Sequence, residues 1–340
     1  MTTSPVRQHM PWVDVLRIIG CLAVLFIHVE YRHGAGGYIL LPIIDFYGIA
    51  FFMLFFLVSG MLAFACPRPF SPFLRSKFRR IVVPMLVWSI IYLAMRAATG
   101  HLALNDLPAR LALLPFKPQV PQFWYLYVLL GVYLLTPIAA HWLHHSTQRQ
   151  VIFYLALWGV TLCIPLAAHY CPDITSSIEV VGPLFYLQGF AGVMLLGHYM
   201  HRYVHFSHLP WWHWLITLTL GTVPIWYRLL PLPYSLLNTY LSPNMIALSC
   251  AIFVLVRQVA WPQQMHGILN FLGQSSYGVY LMHMVVILGI VNPIIEPLRL
   301  NYWIGIPLAL GLTLAISLSL VWLLSHLRWA WVLGCDLKKK

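Results

Sequence analysis

Trp12-Val13-Asp14-Val15-Leu16-Arg17-Ile18-Ile19-Gly20 opens a run that stays apolar as far as His28. The run is long enough to cross a bilayer as a helix, which takes ~20 residues. It nevertheless carries Asp14, Arg17 and His28. Ionisable groups are costly inside a membrane and by default mark a functional site. Asp14 and Arg17 stand i,i+3 and can pair on one helix face. Arg17 and His28 are separated by about three turns, roughly 16 Å of rise, so both point the same way. Arg17 therefore belongs near one membrane face, and His28 lies deep or toward the other, on a shared stripe. Glu30, two positions past His28, faces elsewhere.

The rest of the chain is membrane-like. Of its 340 residues 61% are hydrophobic and 8% charged, with a mean hydropathy of +0.79, where a soluble domain carries about 25% charged residues. This predicts an all-α integral membrane protein, one bundle of about ten transmembrane helices over residues 11–325 of a single 1–340 domain, with no soluble domain. The expected spans are 11–30, 42–66, 79–98, 122–142, 150–168, 182–201, 211–229, 240–260, 268–292 and 302–325. With the N-terminus inside, the inner segments hold Arg7, Arg68, Arg75, Lys77, Arg79, Arg80, Arg149, Arg202, Arg257, Arg328 and Lys338 to Lys340. The outer ones hold only Arg32, Arg96, Arg110, Lys117, Arg228 and Arg299. That excess on one side supports N-in and C-in. The first stretch is too long and too charged for a cleavable signal.

The net charge of +12 is not a nucleic-acid signal, because no basic block is interleaved with polar, solvent-exposed sequence. It reads as topology charge plus attraction to anionic lipid or a phosphorylated ligand. The six cysteines show no CxxC spacing and read as small buried hydrophobes, with a Cys163–Cys171 bridge given little weight.

Four further groups carry possible chemistry. His28 can act as a general base, since a neutral imidazole takes a proton from a hydroxyl; a packing histidine bonded to another helix is the alternative. Arg68, Arg75, Lys77, Arg79 and Arg80 put five basic residues at an inner loop and helix start. These are either topology signals or forks for phosphoryl oxygens. Phe123-Trp124-Tyr125-Leu126-Tyr127 reads first as an interfacial aromatic belt and second as a sugar-stacking platform built on Trp124 and Tyr127. Ser276, Tyr280 and His283 fall at i, i+4 and i+7, one polar face on an apolar helix. Histidines at inner helix ends (His141, His144, His145, His198, His201, His205, His208) lack acidic or Cys companions, so no metal is expected.

In order along the chain, these residues resemble the integral-membrane acyltransferase-3 family, the acyltransferases of the bacterial surface-polysaccharide O-acetylating type. Asp14-Val-Leu-Arg17-Ile-Ile-Gly20 with His28 resembles its opening signature. Phe55-Phe56-Leu57-Val58-Ser59-Gly60 resembles its Phe-rich second span, and Arg79-Arg80-Ile81 with Pro84 its basic helix start. Phe123-Trp124-Tyr125 through Tyr133 and Pro137 resembles its central aromatic span. Ser276-Tyr277-Gly278-Val279-Tyr280-Leu281-Met282-His283 resembles its late span.

The resemblance implies a multi-pass enzyme of the bacterial inner membrane. It would take an acyl group, acetyl expected, from cytoplasmic acetyl-CoA to a hydroxyl of a surface glycan or its lipid-linked precursor. His28 and Arg17 would be the central pair, with Asp14 orienting Arg17. Arg79 and Arg80 would hold the CoA phosphates, and Tyr280 and His283 would line the core. The implied partners are membrane lipid, acyl-CoA, the glycan acceptor and polysaccharide assembly proteins. Gln122 stands where the family often has His before the central Trp. No extracytoplasmic hydrolase-like domain follows the last span, which implies direct handover to the acceptor or to a partner. Two other classes remain open: a transporter or flippase for a lipid-linked sugar, and a structural subunit of a polysaccharide export complex.

Overall fold

The computed structural model describes residues 9–33, 41–65, 69–179, 182–204 and 239–337, without the side chains of 30–33 and 41–47. The expected span 211–229 lies outside the described residues, as does the side chain of Asp45, a candidate carboxylate partner for His28. The described chain is helical throughout, with no strand. Six of its helices are long and apolar enough to cross a membrane, and the protein is an all-α integral membrane protein.

The opening signature forms α1 (Pro11–His33) and the Phe-rich segment forms α2 (Leu41–Ala63). Next come α3 (Phe70–Lys77) and α4 (Val83–Ala98). The span expected at 79–98 is longer than that: α3, a π turn at Phe78–Val82 and α4 run on as one stretch from Phe70 to Ala98. Arg79 and Arg80 sit inside its first half, not at a helix start. The cause is Pro84, whose ring lacks an N–H and crowds the carbonyl one turn back. A helix can absorb that by widening to π geometry for one turn.

A short helix α5 (Leu107–Leu113) lies in the Pro-rich connection, where Leu102 and Leu114 pack on Leu93. Two membrane-length helices follow, α6 (Trp124–His145) and α7 (Gln148–Ala168), the second opened by a Thr147/Gln150 capping box. The span expected at 182–201 is corrected: residues 182–189 form turns and one 3-10 turn at Phe185–Leu187, and the α-helix α8 covers only Phe190–Tyr203. Pro183 and Gly189, whose φ is +106°, interrupt the apolar run. The last described helices are α9 (Pro243–Gln258), α10 (His266–Val286), α11 (Asn292–Ile295) and α12 (Tyr302–Leu324). Between α10 and α11 lies a second π turn, Ile287–Val291, again separated from a proline, Pro293, by one residue, Asn292.

Burial runs as a lipid-facing protein requires. Leu135, Ile138, Phe153, Ile304 and Leu323 are exposed, while Ser249, Ser275, Thr313 and Ser317 are buried. Apolar side chains can face hydrocarbon, and polar ones gather between helices, where small residues also let backbones approach. α2 and α8 show the closest approach: a Cβ on Gly60 would lie 1.9 Å from the Met194 carbonyl oxygen, and one on Gly197 would lie 2.1 Å from that of Leu57.

The aromatic run starting α6 is not an interfacial belt. Phe123 is fully buried, and Tyr125 meets Phe52 and Phe56 edge-on at 4.9 and 4.8 Å between ring centroids. Phe56 stacks on Phe190 at 4.6 Å, and Trp124 lies 4.7 Å from Tyr240. The rings of α2, α6 and α8 thus form the packed centre of the bundle.

Candidate active site

Asp14 is 4% exposed and is held by two bases. Its Oδ1 accepts from Arg17 Nη1 at 3.1 Å, and its Oδ2 lies 2.6 Å from His9 Nε2. The carboxylate fits because α10 presents no side chain there. A Cβ on Gly273 would lie 2.5 Å from Asp14 Cβ and 2.6 Å from Oδ1. Three positions along, Cys21 Sγ bonds the Ser276 carbonyl. α1 and α10 therefore run side by side in the same direction, and their polar residues fall into one file.

That file lines two adjoining cavities. The outer one has a volume of about 1010 Å³ and is walled by His9, Asp14 and Arg17, by Arg75, Arg79 and Arg80, and by Asn270, Gln274 and Tyr277. Arg17, Leu62, Ser76, Arg80, Gln274 and Tyr277 also border the inner cavity of about 380 Å³, which continues past Ser59, Lys77, Tyr125 and Ser276 to Tyr280. Arg17 therefore stands at the junction. The π turn carries Arg79 and Arg80 to the outer wall, and among the described residues no carboxylate pairs with either or with Arg75. Lys77 is held differently, its ammonium 3.8 Å from the Tyr133 ring centroid.

Beyond the inner cavity the polar file goes on as rings. The Tyr280 hydroxyl donates to the Gln122 carbonyl, so Gln122 serves here through its backbone. The Tyr280 ring lies 5.9 Å from that of His283, and His283 lies 5.0 Å from His28. His283 is fully buried, its Nδ1 is 2.6 Å from the Tyr280 carbonyl, and its Nε2 has no hydrogen-bond partner. A neutral ring that donates through Nδ1 keeps a lone pair on Nε2 as an acceptor.

The structure thus brings together Asp14, Arg17, Arg79, Arg80, Ser276 and Tyr280 along the cavity walls. His28 and His283 stand just past their inner end. Trp124 and Tyr127 border neither cavity. Trp124 packs among aromatic rings, and the Tyr127 hydroxyl donates to the Leu114 carbonyl at 2.5 Å. Glu179, the other carboxylate considered for His28, is exposed in the turn after a 3-10 helix at Pro172–Ile178.

Wall residues that the sequence reading passed over include His9, Asn270, Gln274 and Tyr277. Asn270, Gln274 and Tyr277 stand at i, i+4 and i+7 on α10, a stripe of the same kind as Ser276, Tyr280 and His283. Counting polar residues earlier in that helix would have found them. Among the described residues, no three His, Cys, Asp or Glu side chains gather as for a metal.

A family model described as an acyltransferase domain, that of the acyltransferase-3 family, matches residues 10–322. No curated protein and no solved structure matches the chain.

Proposed function

The chain belongs to the acyltransferase-3 family and is a multi-pass membrane acyltransferase, and from that premise we propose that it moves an acyl group, acetyl first among them, from cytoplasmic acyl-CoA to a hydroxyl of a surface glycan or its lipid-linked precursor. One observation carries the reading: a basic cavity opens into a narrower one, and Arg17 borders both. The outer chamber suits an anionic donor head, because Arg75, Arg79 and Arg80 offer guanidinium forks that no carboxylate among the described residues neutralises. The inner chamber, walled by Phe55, Tyr125, Leu126 and Leu129 with Arg17, Lys77 and Arg80 also bordering it, suits an arm that is largely apolar and ends in a thioester.

His28 is the expected base. The acceptor hydroxyl gives its proton to the imidazole as its oxygen attacks the thioester carbon. The tetrahedral intermediate then collapses, the C–S bond breaks, and the sulfur leaves with the proton from the imidazolium. The products are an ester and a free thiol. Arg17 lies about 16 Å of helix rise before His28, so it grips the donor and does not touch the reacting carbon. Tyr280 and His283 fill the interval between the inner cavity and His28.

The bacterial inner membrane, with α1 entering from the cytoplasm, is the location this reading requires. The test is transfer of labelled acetyl from acetyl-CoA to a mixed glycan acceptor pool by protein in lipid, wild type against His28→Ala. Transfer by the wild type and none by a folded variant is the expected result. A folded wild type that neither binds nor turns over acyl-CoA would sink the reading.

A further inference from the structure

We propose that the segment following α12 is part of the donor site, and that the stack of Arg79 on Trp331 at the rim takes the adenine nucleotide end of the acyl-CoA. The inference rests on the acyl-CoA reading above. It concerns residues beyond position 322, where the family match stops.

Trp331, Gly334 and Asp336 border the outer cavity although they come after the last membrane-length helix. The segment is built into the bundle. A 3-10 turn at Ala330–Leu333 is closed by Gly334 in the left-handed region, φ +70°, and the Cys335 N–H donates to the Ala330 carbonyl at 2.9 Å. Any side chain on Gly334 would also collide with Leu281, 2.6 Å away, and Tyr277, 3.0 Å away. From α4, the Trp88 indole N–H donates to the Leu333 carbonyl at 3.0 Å. Cys335 is fully buried, and burial pushes its thiol up to about 12, so it is a packing group and not a nucleophile.

This anchoring places Trp331 under Arg79, whose guanidinium carbon lies 4.5 Å from the ring centroid. Among the described residues Arg79 forms no ion pair, and Asp336, on the same wall, is not within ion-pair distance of it. The guanidinium lies over the ring, and among the described residues no carboxylate takes its N–H groups. A cation over an aromatic ring offers a purine base both an indole to stack on and a guanidinium, and the guanidinium donors, with Arg75 and Arg80 beside them, meet phosphate oxygens. A simple phosphate or lipid headgroup would use the arginines but gain nothing from the indole.

The full chain in lipid nanodiscs is titrated with adenosine 3′,5′-bisphosphate, the nucleotide half of CoA, and separately with pyrophosphate. Stacking on one ring contributes ~1–3 kcal/mol, so Trp331→Ala is expected to weaken bisphosphate binding about ten-fold. Trp331→Phe, which keeps a ring, stays within about three-fold of wild type, and pyrophosphate binds all three alike. Equal bisphosphate affinity in wild type and Trp331→Ala overturns the proposal. So does a lack of saturable binding to wild type, or a loss in Trp331→Phe as large as in Trp331→Ala. Because binding is read without turnover, nucleotide bound in the absence of acyl transfer leaves this inference standing and removes the acyl-transfer reading. Acyl transfer with binding indifferent to Trp331 does the reverse.

Discussion

A methyl group at position 273 would occupy the space of Asp14. Gly273→Ala must therefore push α1 away from α10, at a cost of about 1–3 kcal/mol, and it moves Arg17 with the carboxylate. The expected result is a lower unfolding midpoint in detergent together with a raised KM for acyl-CoA. Asp14→Ala acts at the same point from the other side. It leaves Arg17 and His9 without their shared acceptor, and the loss of a charged hydrogen bond costs about 2 kcal/mol. Thermal unfolding and donor KM again read it, and a variant as stable as wild type with unchanged KM would mean that Asp14 does not hold Arg17. The pairing of Asp14 with Arg17 is legible in the sequence because both residues belong to one helix, where spacing sets neighbours. His9 and Gly273 are not legible that way. One precedes the helix, and the other matters only for the atom it lacks.

Both π turns in the described chain are separated by one residue from a proline that follows, Pro84 and Pro293. The first turns Arg79 and Arg80 toward the outer cavity. Pro84→Ala restores a backbone donor and removes the reason for the wide turn. Closing it to α geometry shifts the preceding residues by one position, about 100° around the axis. Thermal stability is then expected to hold or rise while the donor KM rises several-fold with kcat little changed. An unchanged KM would show that the turn does not aim the arginines. Apolar runs made the membrane helices readable from composition, since ~20 such residues cross a bilayer. The extent of the Phe70–Ala98 stretch was not readable, because Ser71, Pro72 and the basic residues in its first half look like a loop when the hydropathy of each residue is weighed alone. The aromatic run of α6 failed for a related reason. A belt and a buried cluster have the same composition, and only Phe52, Phe56 and Phe190 from other helices decide between them.

Taken whole, the molecule carries a cationic chamber at one end of a polar file and the His28–His283 pair at the other. If the chamber grips phosphates, donor affinity should fall with salt, because exposed charges are screened over ~10 Å at 0.1 M and less above it. The KM for acyl-CoA is expected to rise several-fold between low and high salt, while that for an acyl-pantetheine lacking the nucleotide stays flat. Equal salt dependence of the two would remove the arginines from donor recognition. The glycine contacts between α2 and α8 bear on how such a molecule can move. With Gly60 against Met194 and Gly197 against Leu57, two backbones meet with no side chain between them. Sliding one helix past the other by a turn, about 5.4 Å, would drive neighbouring side chains such as Met61 into the opposite backbone. In mechanical terms the seam is a weld. α2 and α8 travel as one beam, and any opening that admits an acceptor to His28 has to bend the molecule somewhere else.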